Sequence, residues 1–141
     1  MKPLALFAVS MLVSVLLYLG VFGVVQRSLT LDGMAPLITH KLAHAQSLPS
    51  PRLLLLAGSN GRYSHRCQVL QSVTGLPCSN LSLAVGVGLD FQLRLIDPLL
   101  RPGDVLYLPL EYSQYSVSQD EMESGAENTL LVHHFRDQLW L

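Results

Sequence analysis

Leu53-Leu54-Leu55-Leu56-Ala57 runs directly into Gly58-Ser59-Asn60. A short, continuous apolar run bounded by turn residues predicts a buried strand of a parallel sheet. Such a strand ends in the crevice where open α/β sheets bind ligands. Gly58 permits a sharp turn, Ser59 offers a hydroxyl at that spot, and amides at the start of a following helix can hold an anion. An ordinary tight βα turn has the same residues, so this stretch alone decides the fold class and not the chemistry.

Downstream, the chain alternates. Ser64 is placed to cap a helix over residues 65–74, which Gly75-Leu76-Pro77 ends. A second strand is predicted over 78–83, closing in the glycine-containing turn Ala84-Val85-Gly86-Val87-Gly88. Leu89, Leu93, Ile96 and Leu100 then recur at helical spacing until Pro98 ends or kinks the helix. After the turn Arg101-Pro102-Gly103-Asp104, a strongly apolar third strand is expected over 105–110. The order β-α-β-α-β predicts parallel strands joined by right-handed crossovers. Residues 113–128 are polar and acidic (Asp120, Glu121, Glu123, Glu127) and read as an exposed loop, and 129–141 as a final helix. Three strands make a marginal core, so the segment resembles the first part of a larger domain, or one that leans on a partner.

Upstream, residues 4–25 are almost unbroken apolar sequence. As a helix they cover ~30 Å, enough to cross a bilayer. A cleaved signal peptide has a shorter apolar core, ~7–15 residues, and ends in small residues at a cleavage site, which Val24-Val25-Gln26 does not offer. The expected organisation is a transmembrane anchor over 1–27, a linker over 28–51 with a short helix at 36–46, and an α/β domain over 52–141. Ser47-Leu48-Pro49-Ser50-Pro51 marks the domain boundary, because two close prolines disfavour regular structure.

The 141 residues carry a formal net charge of -1, and half are hydrophobic. No basic stripe is present to neutralise phosphates, which argues against a nucleic-acid partner. The two cysteines, Cys67 and Cys78, fit no metal motif. With Cys67 opening a helix and Cys78 starting the next strand, the ~8 intervening helical residues separate them by ~12 Å along the axis. A disulfide needs Cα atoms within about 7 Å, so two separate thiols are expected. His40 and His44 share a helix face at a spacing that can bind metal, but without a third ligand they read as an exposed pair.

Three strand ends now line up on one edge: Gly58-Ser59-Asn60, residues 80–88, and Leu110-Glu111-Tyr112. With Leu-Leu-Ala-Gly-Ser-Asn as a first block, Asn80-Leu81-Ser82 followed by Gly86 as a second, and Arg-Pro-Gly-Asp before Glu111-Tyr112, residues 52–115 resemble the N-terminal half of an SGNH (GDSL-like) hydrolase. More narrowly, they are similar to membrane-anchored SGNH-like proteins of bacterial exopolysaccharide and cell-wall acylation. The resemblance implies a flavodoxin-like, three-layer parallel α/β fold, here partial, behind the N-terminal membrane helix.

It also implies roles. Ser59 takes the nucleophile position, and Gly86, with Gly88 as second choice, supplies the block-two oxyanion amide. The third block departs: the family has Gly-x-Asn-Asp where this chain has Leu110-Glu111-Tyr112-Ser113. A carboxylate cannot donate to an oxyanion unless protonated, and Tyr112 has a hydroxyl that can. The family's Asp-x-x-His, base and orienter, is not found in these residues.

Serine needs an adjacent base near neutral pH. His65 lies six residues after Ser59 and within reach of the same edge, although a helix-start histidine without a catalytic role fits as well. His133 and His134, with Asp137 following, read as an ordinary polar helix face. For Glu111 two readings stand level: a hydrogen-bond acceptor at the crevice, or a carboxylate turned to solvent. Asn60 either orients the Ser59 loop or satisfies turn amides. Arg62 and Tyr63 read as surface residues. No metal and no cofactor is called for.

The expected role is in envelope or exopolysaccharide biogenesis. A single-pass protein of the cytoplasmic (inner) membrane would present its α/β domain outside the cytoplasm and act on acyl esters of a glycan through an acyl-Ser59 intermediate. The alternative is a non-catalytic anchored scaffold that binds polysaccharide-assembly proteins.

Overall fold

The computed structural model describes residues 3–25, 29–116, 120 and 126–135. Helix α1 spans Pro3–Val25 and α2 spans Leu29–Ser47. There follow β1 (Leu53–Leu55), α3 (Ser59–Ser64), α4 (Cys67–Thr74), β2 (Cys78–Asn80), α5 (Leu89–Ile96), β3 (Val105–Tyr107) and α6 (Ala126–His134). Single 3₁₀ turns occupy Val85–Val87, Asp97–Leu99 and Tyr112–Tyr115.

The strands form a parallel sheet in the order β2-β1-β3, with Leu54 opposite Ser79 on one side and Leu106 on the other. Side chains alternate across the sheet. Leu54 and Leu56 pack with Ala45 of α2, Leu81, Ile96 of α5 and Leu99. The opposite face takes α3. A Cβ on Gly61 would collide with Ala57 and Ser82 and sit 3.1 Å from Leu55, so the helix approaches the sheet at a distance only glycine allows. A second apolar cluster joins Ala35 and Ile38 of α2 to Leu83, Val87, Phe91, Leu95, Leu131 and Phe135. Phe91 and Phe135 meet edge to face, with centroids 6.3 Å apart.

The fold is thus mixed α/β with helices on both faces of a small parallel sheet. Several elements differ from expectation. The helix expected at 36–46 starts at Leu29, runs through Pro36, and buries Ala35, Ile38 and Ala45, so the segment read as a linker shares the core. The helix expected at 65–74 is α4, starting at Cys67 behind Arg66 rather than at a Ser64 cap, and an additional helix, α3, precedes it at Ser59–Ser64.

The third strand, read as strongly apolar, is an edge paired only to β1, and the face that Val105 and Tyr107 share is open, at 45% and 38% exposed. Within the stretch read as an exposed loop, Gln114 is buried. Leu131 and Phe135 bury the C-terminal helix. Glu121, Glu123 and Asp137 lie outside the described residues.

The two cysteines are bridged, which corrects the expectation of separate thiols. Cys67 and Cys78 form a disulfide with their Cα atoms 5.3 Å apart. The chain doubles back after the helix. Gly75 caps α4 in the left-handed region (φ 71) and its N–H bonds Gln71 O at 2.8 Å, reversing the chain. Leu76 and Pro77 then run back along the helix, and three extended steps of ~3.3 Å recover most of the axial distance that α4 gained.

Beyond the sheet, α1 is a 23-residue helix of apolar sequence. Its segment Pro3–Phe22 is long and apolar enough to cross a membrane, and none of it is buried by the rest of the chain.

Candidate functional site at the C-terminal edge of the sheet

Strand β1 delivers Gly58 and Ser59 to the C-terminal edge, where α3 begins. Glu111, beyond β3, reaches across to them. Its Oε1 accepts hydrogen bonds from Ser59 Oγ at 3.2 Å and from the Asn60 N–H at 3.0 Å. The same carboxylate accepts the Gln114 N–H in a capping box that starts the Tyr112–Tyr115 turn. Gln114 completes the stitch. Its Oε1 accepts the N–H groups of both Gly58 and Glu111 at 2.9 Å each. Two backbone donors in the β1–α3 turn are therefore satisfied by side chains from the far side of β3.

Asn60 belongs to the same joint. Its Oδ1 accepts the Gly61 N–H at 2.6 Å, and its Nδ2 donates to Pro109 O at 2.8 Å. On the other flank, Asn80 ends β2 and donates through Nδ2 to Gly61 O at 2.8 Å and His65 O at 3.0 Å, while its Oδ1 takes the Ser82 N–H. Lys41 of α2 donates to Asn80 O at 2.5 Å. Burial, and secondarily the nearby Arg62 charge, hold the Lys41 amine down at about 8.

Of the residues singled out from sequence, Ser59, Asn60 and Glu111 come together. The Val85–Val87 turn that carries Gly86 packs against the Tyr112–Tyr115 turn, so the second block also faces this edge. Gly86 is exposed, whereas Gly88 is buried with φ 74 and starts α5, a conformation that calls for glycine. Tyr112 is 90% exposed and bonds neither Ser59 nor Asn60.

No histidine bonds Ser59 among the described residues. His65 Nδ1 lies 3.0 Å from Ser64 Oγ, and its ring meets Tyr107 edge-on. His44 Nδ1 lies 3.1 Å from Ser79 Oγ. His134 stacks edge-on against Phe135, far along the chain from this edge. No cluster of metal-ligating side chains occurs among the described residues.

Sequence reasoning missed three contributors. Gln114 lies in the stretch that reads as loop, although Glu111-x-x-Gln114 has the spacing of a capping box. Gly61 stands three residues after Gly58, a spacing that signals close helix–strand packing. Lys41 gave no sequence signal, since an isolated lysine on a helix reads as solvated.

Chemically, Ser59 Oγ is accessible and has a carboxylate as acceptor. The same Glu111 oxygen also takes the Asn60 N–H, so the hydroxyl and the following amide are both tied to one carboxylate. The chain matches no protein-family model, no curated protein and no solved structure.

Proposed function

We propose that this protein is a membrane-anchored SGNH-like module of envelope or exopolysaccharide biogenesis. Its flavodoxin-like sheet edge binds an acylated glycan, or docks it to polysaccharide-assembly proteins, without turning it over. The observation that carries this reading is the position of Glu111. One carboxylate oxygen engages both Ser59 Oγ, the nucleophile position of an SGNH-like site, and the adjoining Asn60 N–H. A negative oxygen there repels the oxyanion that acyl transfer must develop.

The remaining support is of three kinds. The motif resemblance names the family and the ligand class. Helix α1 suits a single-pass anchor in the inner membrane. The Cys67–Cys78 bridge suits an oxidising compartment, hence an α/β part on the extracytoplasmic side.

The Ser59–Glu111 hydrogen bond also favours a second reading, acyl transfer through Ser59. Here Ser59 Oγ attacks the acyl carbonyl and its proton passes to Glu111. The glycan oxygen leaves with that proton, and water or an acceptor hydroxyl later releases the acyl group. A serine-directed fluorophosphonate separates the two. The binding module leaves wild type labelled no faster than Ser59→Ala, under conditions that label a control hydrolase. Labelling that maps to Ser59 and is lost in the variant establishes the enzyme instead.

A further inference from the structure

Two cations flank the C-terminal edge without an ion-pair partner among the described residues. Lys41 is half-buried, and its ammonium donates to the Asn80 carbonyl alone, leaving two of its three protons without an acceptor among the described residues. Arg62 is also half-buried; its guanidinium lies 5.2 Å from the centroid of the Tyr63 ring. Neither forms an ion pair: those among the described residues join Arg52 to Asp104 and Arg94 to Asp90. Asn80 links the segments that carry them. Its carbonyl holds Lys41, and its side chain holds the carbonyl of Gly61, the residue before Arg62. Arg62 stands one helical turn beyond Ser59 on α3, so the pair borders the same crevice.

Like charges gathered in a partly desolvated place are costly unless an anion completes them. We propose that Lys41 and Arg62 together hold an oxyanion, a carboxylate or phosphate group of the bound ligand, beside Ser59. This rests on the reading of that edge as a ligand-binding face and narrows its ligand to an acidic one. Lys41 provides a point charge from α2, and Arg62 a planar fork from α3, a pairing that suits the oxygens of either group. Burial holds the Lys41 amine down at about 8, and an anion bound beside it would favour its charged form. The neighbouring titratable groups are His44 on α2, His65 after α3 and Glu111 across the edge, each already hydrogen-bonded within the protein.

The chain has two lysines, Lys2 and Lys41, so NMR of the lysine side chains in the full protein in neutral detergent resolves Lys41 against a built-in control. Its pH titration is followed alone, with inorganic phosphate, with glucuronate, and with nanodiscs of zwitterionic or anionic lipid. Phosphate or glucuronate is expected to raise the Lys41 midpoint saturably from about 8 toward 10.5 while Lys2 stays unmoved. Arg62→Gln should weaken binding about tenfold or more, the effect of losing a charged hydrogen-bond partner, and Arg62→Lys should restore part of it.

A response to anionic nanodiscs but to neither soluble probe overturns the assignment to a glycan's acidic group and identifies a lipid phosphate. A Lys41 midpoint unmoved by every probe, one that moves only in step with Lys2, or unaltered binding in folded Arg62→Gln overturns the site. Fluorophosphonate labelling of Ser59 reports separately on the parent reading, so the two fail independently.

Discussion

Arg52 is fully buried, and every nitrogen of its guanidinium is engaged. Nε donates to Asp104 Oδ2 at 3.0 Å, one terminal nitrogen to the carbonyls of Ala45 and Leu48, and the other to Leu99 O. A single side chain therefore ties the end of α2, the end of the α5 region and the start of β3. Burial alone would raise the Asp104 carboxyl. Hydrogen bonds from Ser50 and Arg52, with the Arg101 N–H and the Arg52 charge, outweigh it and hold the group below its ordinary 3.8.

A carboxyl lowered by folding stabilises fully above its unfolded value, and that contribution is lost as pH falls through the folded one. Resistance of wild type to urea should therefore fall as pH drops below 3.8. Asp104→Asn should flatten that dependence and, at neutral pH, cost about 3–5 kcal/mol, because the Arg52 charge stays buried without its partner. A variant that matches wild type at both pH values would remove Asp104 from this role. Nothing in the order of residues announces Arg52 or Asp104 as a pair. Fifty-two positions separate them, and burial of an arginine is decided by which carbonyls surround it.

Among elements, α4 and its return show how a local rule can mislead when one step is left out. The glycine that ends α4 was legible, and so were the helix and strand on either side of it. Their consequence, Cys67 beside Cys78, needed the left-handed Gly75 and the extended Leu76-Pro77 to be followed through space. Helix α4 buries no residue of its own, so the bridge holds it to the sheet. Closing a loop of this length removes unfolded-state entropy worth about 3 kcal/mol. Reduction, or the double change Cys67→Ser and Cys78→Ser, should lower stability by that order in denaturant, with α4 amides losing hydrogen-exchange protection first. Equal protection of α4 in both forms would show that packing alone holds the helix.

Across the whole molecule, two parts behave differently toward solvent. The α/β part buries its own core through α2, α5 and α6 on one face and α3 on the other. The Pro3–Phe22 part of α1 buries nothing of itself against that core, and its apolar side chains are left exposed all round. A helix apolar on every side is stable in hydrocarbon and a liability in water. Deleting residues 1–25 should shift the protein from the detergent-requiring membrane fraction to the soluble fraction with its circular dichroism per remaining residue and disulfide intact. A truncated chain that remains insoluble and unfolded would mean that α1 is needed by the fold itself.

Local sequence was sufficient for whatever depends on periodicity and turn chemistry. The Leu53–Leu55 strand and the turn at Gly58, the alternation of strand and helix, the glycine stop at Gly75 and the apolar span near the N-terminus all follow from side-chain pattern acting over a few residues. The candidate site was half legible on the same basis, since strand ends are where a parallel sheet exposes its ligand edge. Tertiary structure alone decided the partners. Glu111 met Ser59 and Asn60 rather than solvent, Gln114 reached back to Gly58, Lys41 came to rest on Asn80, and the linker segment became a core helix. These contacts join residues far apart in the chain, and their free energy comes from burial and desolvation, which no local spacing encodes.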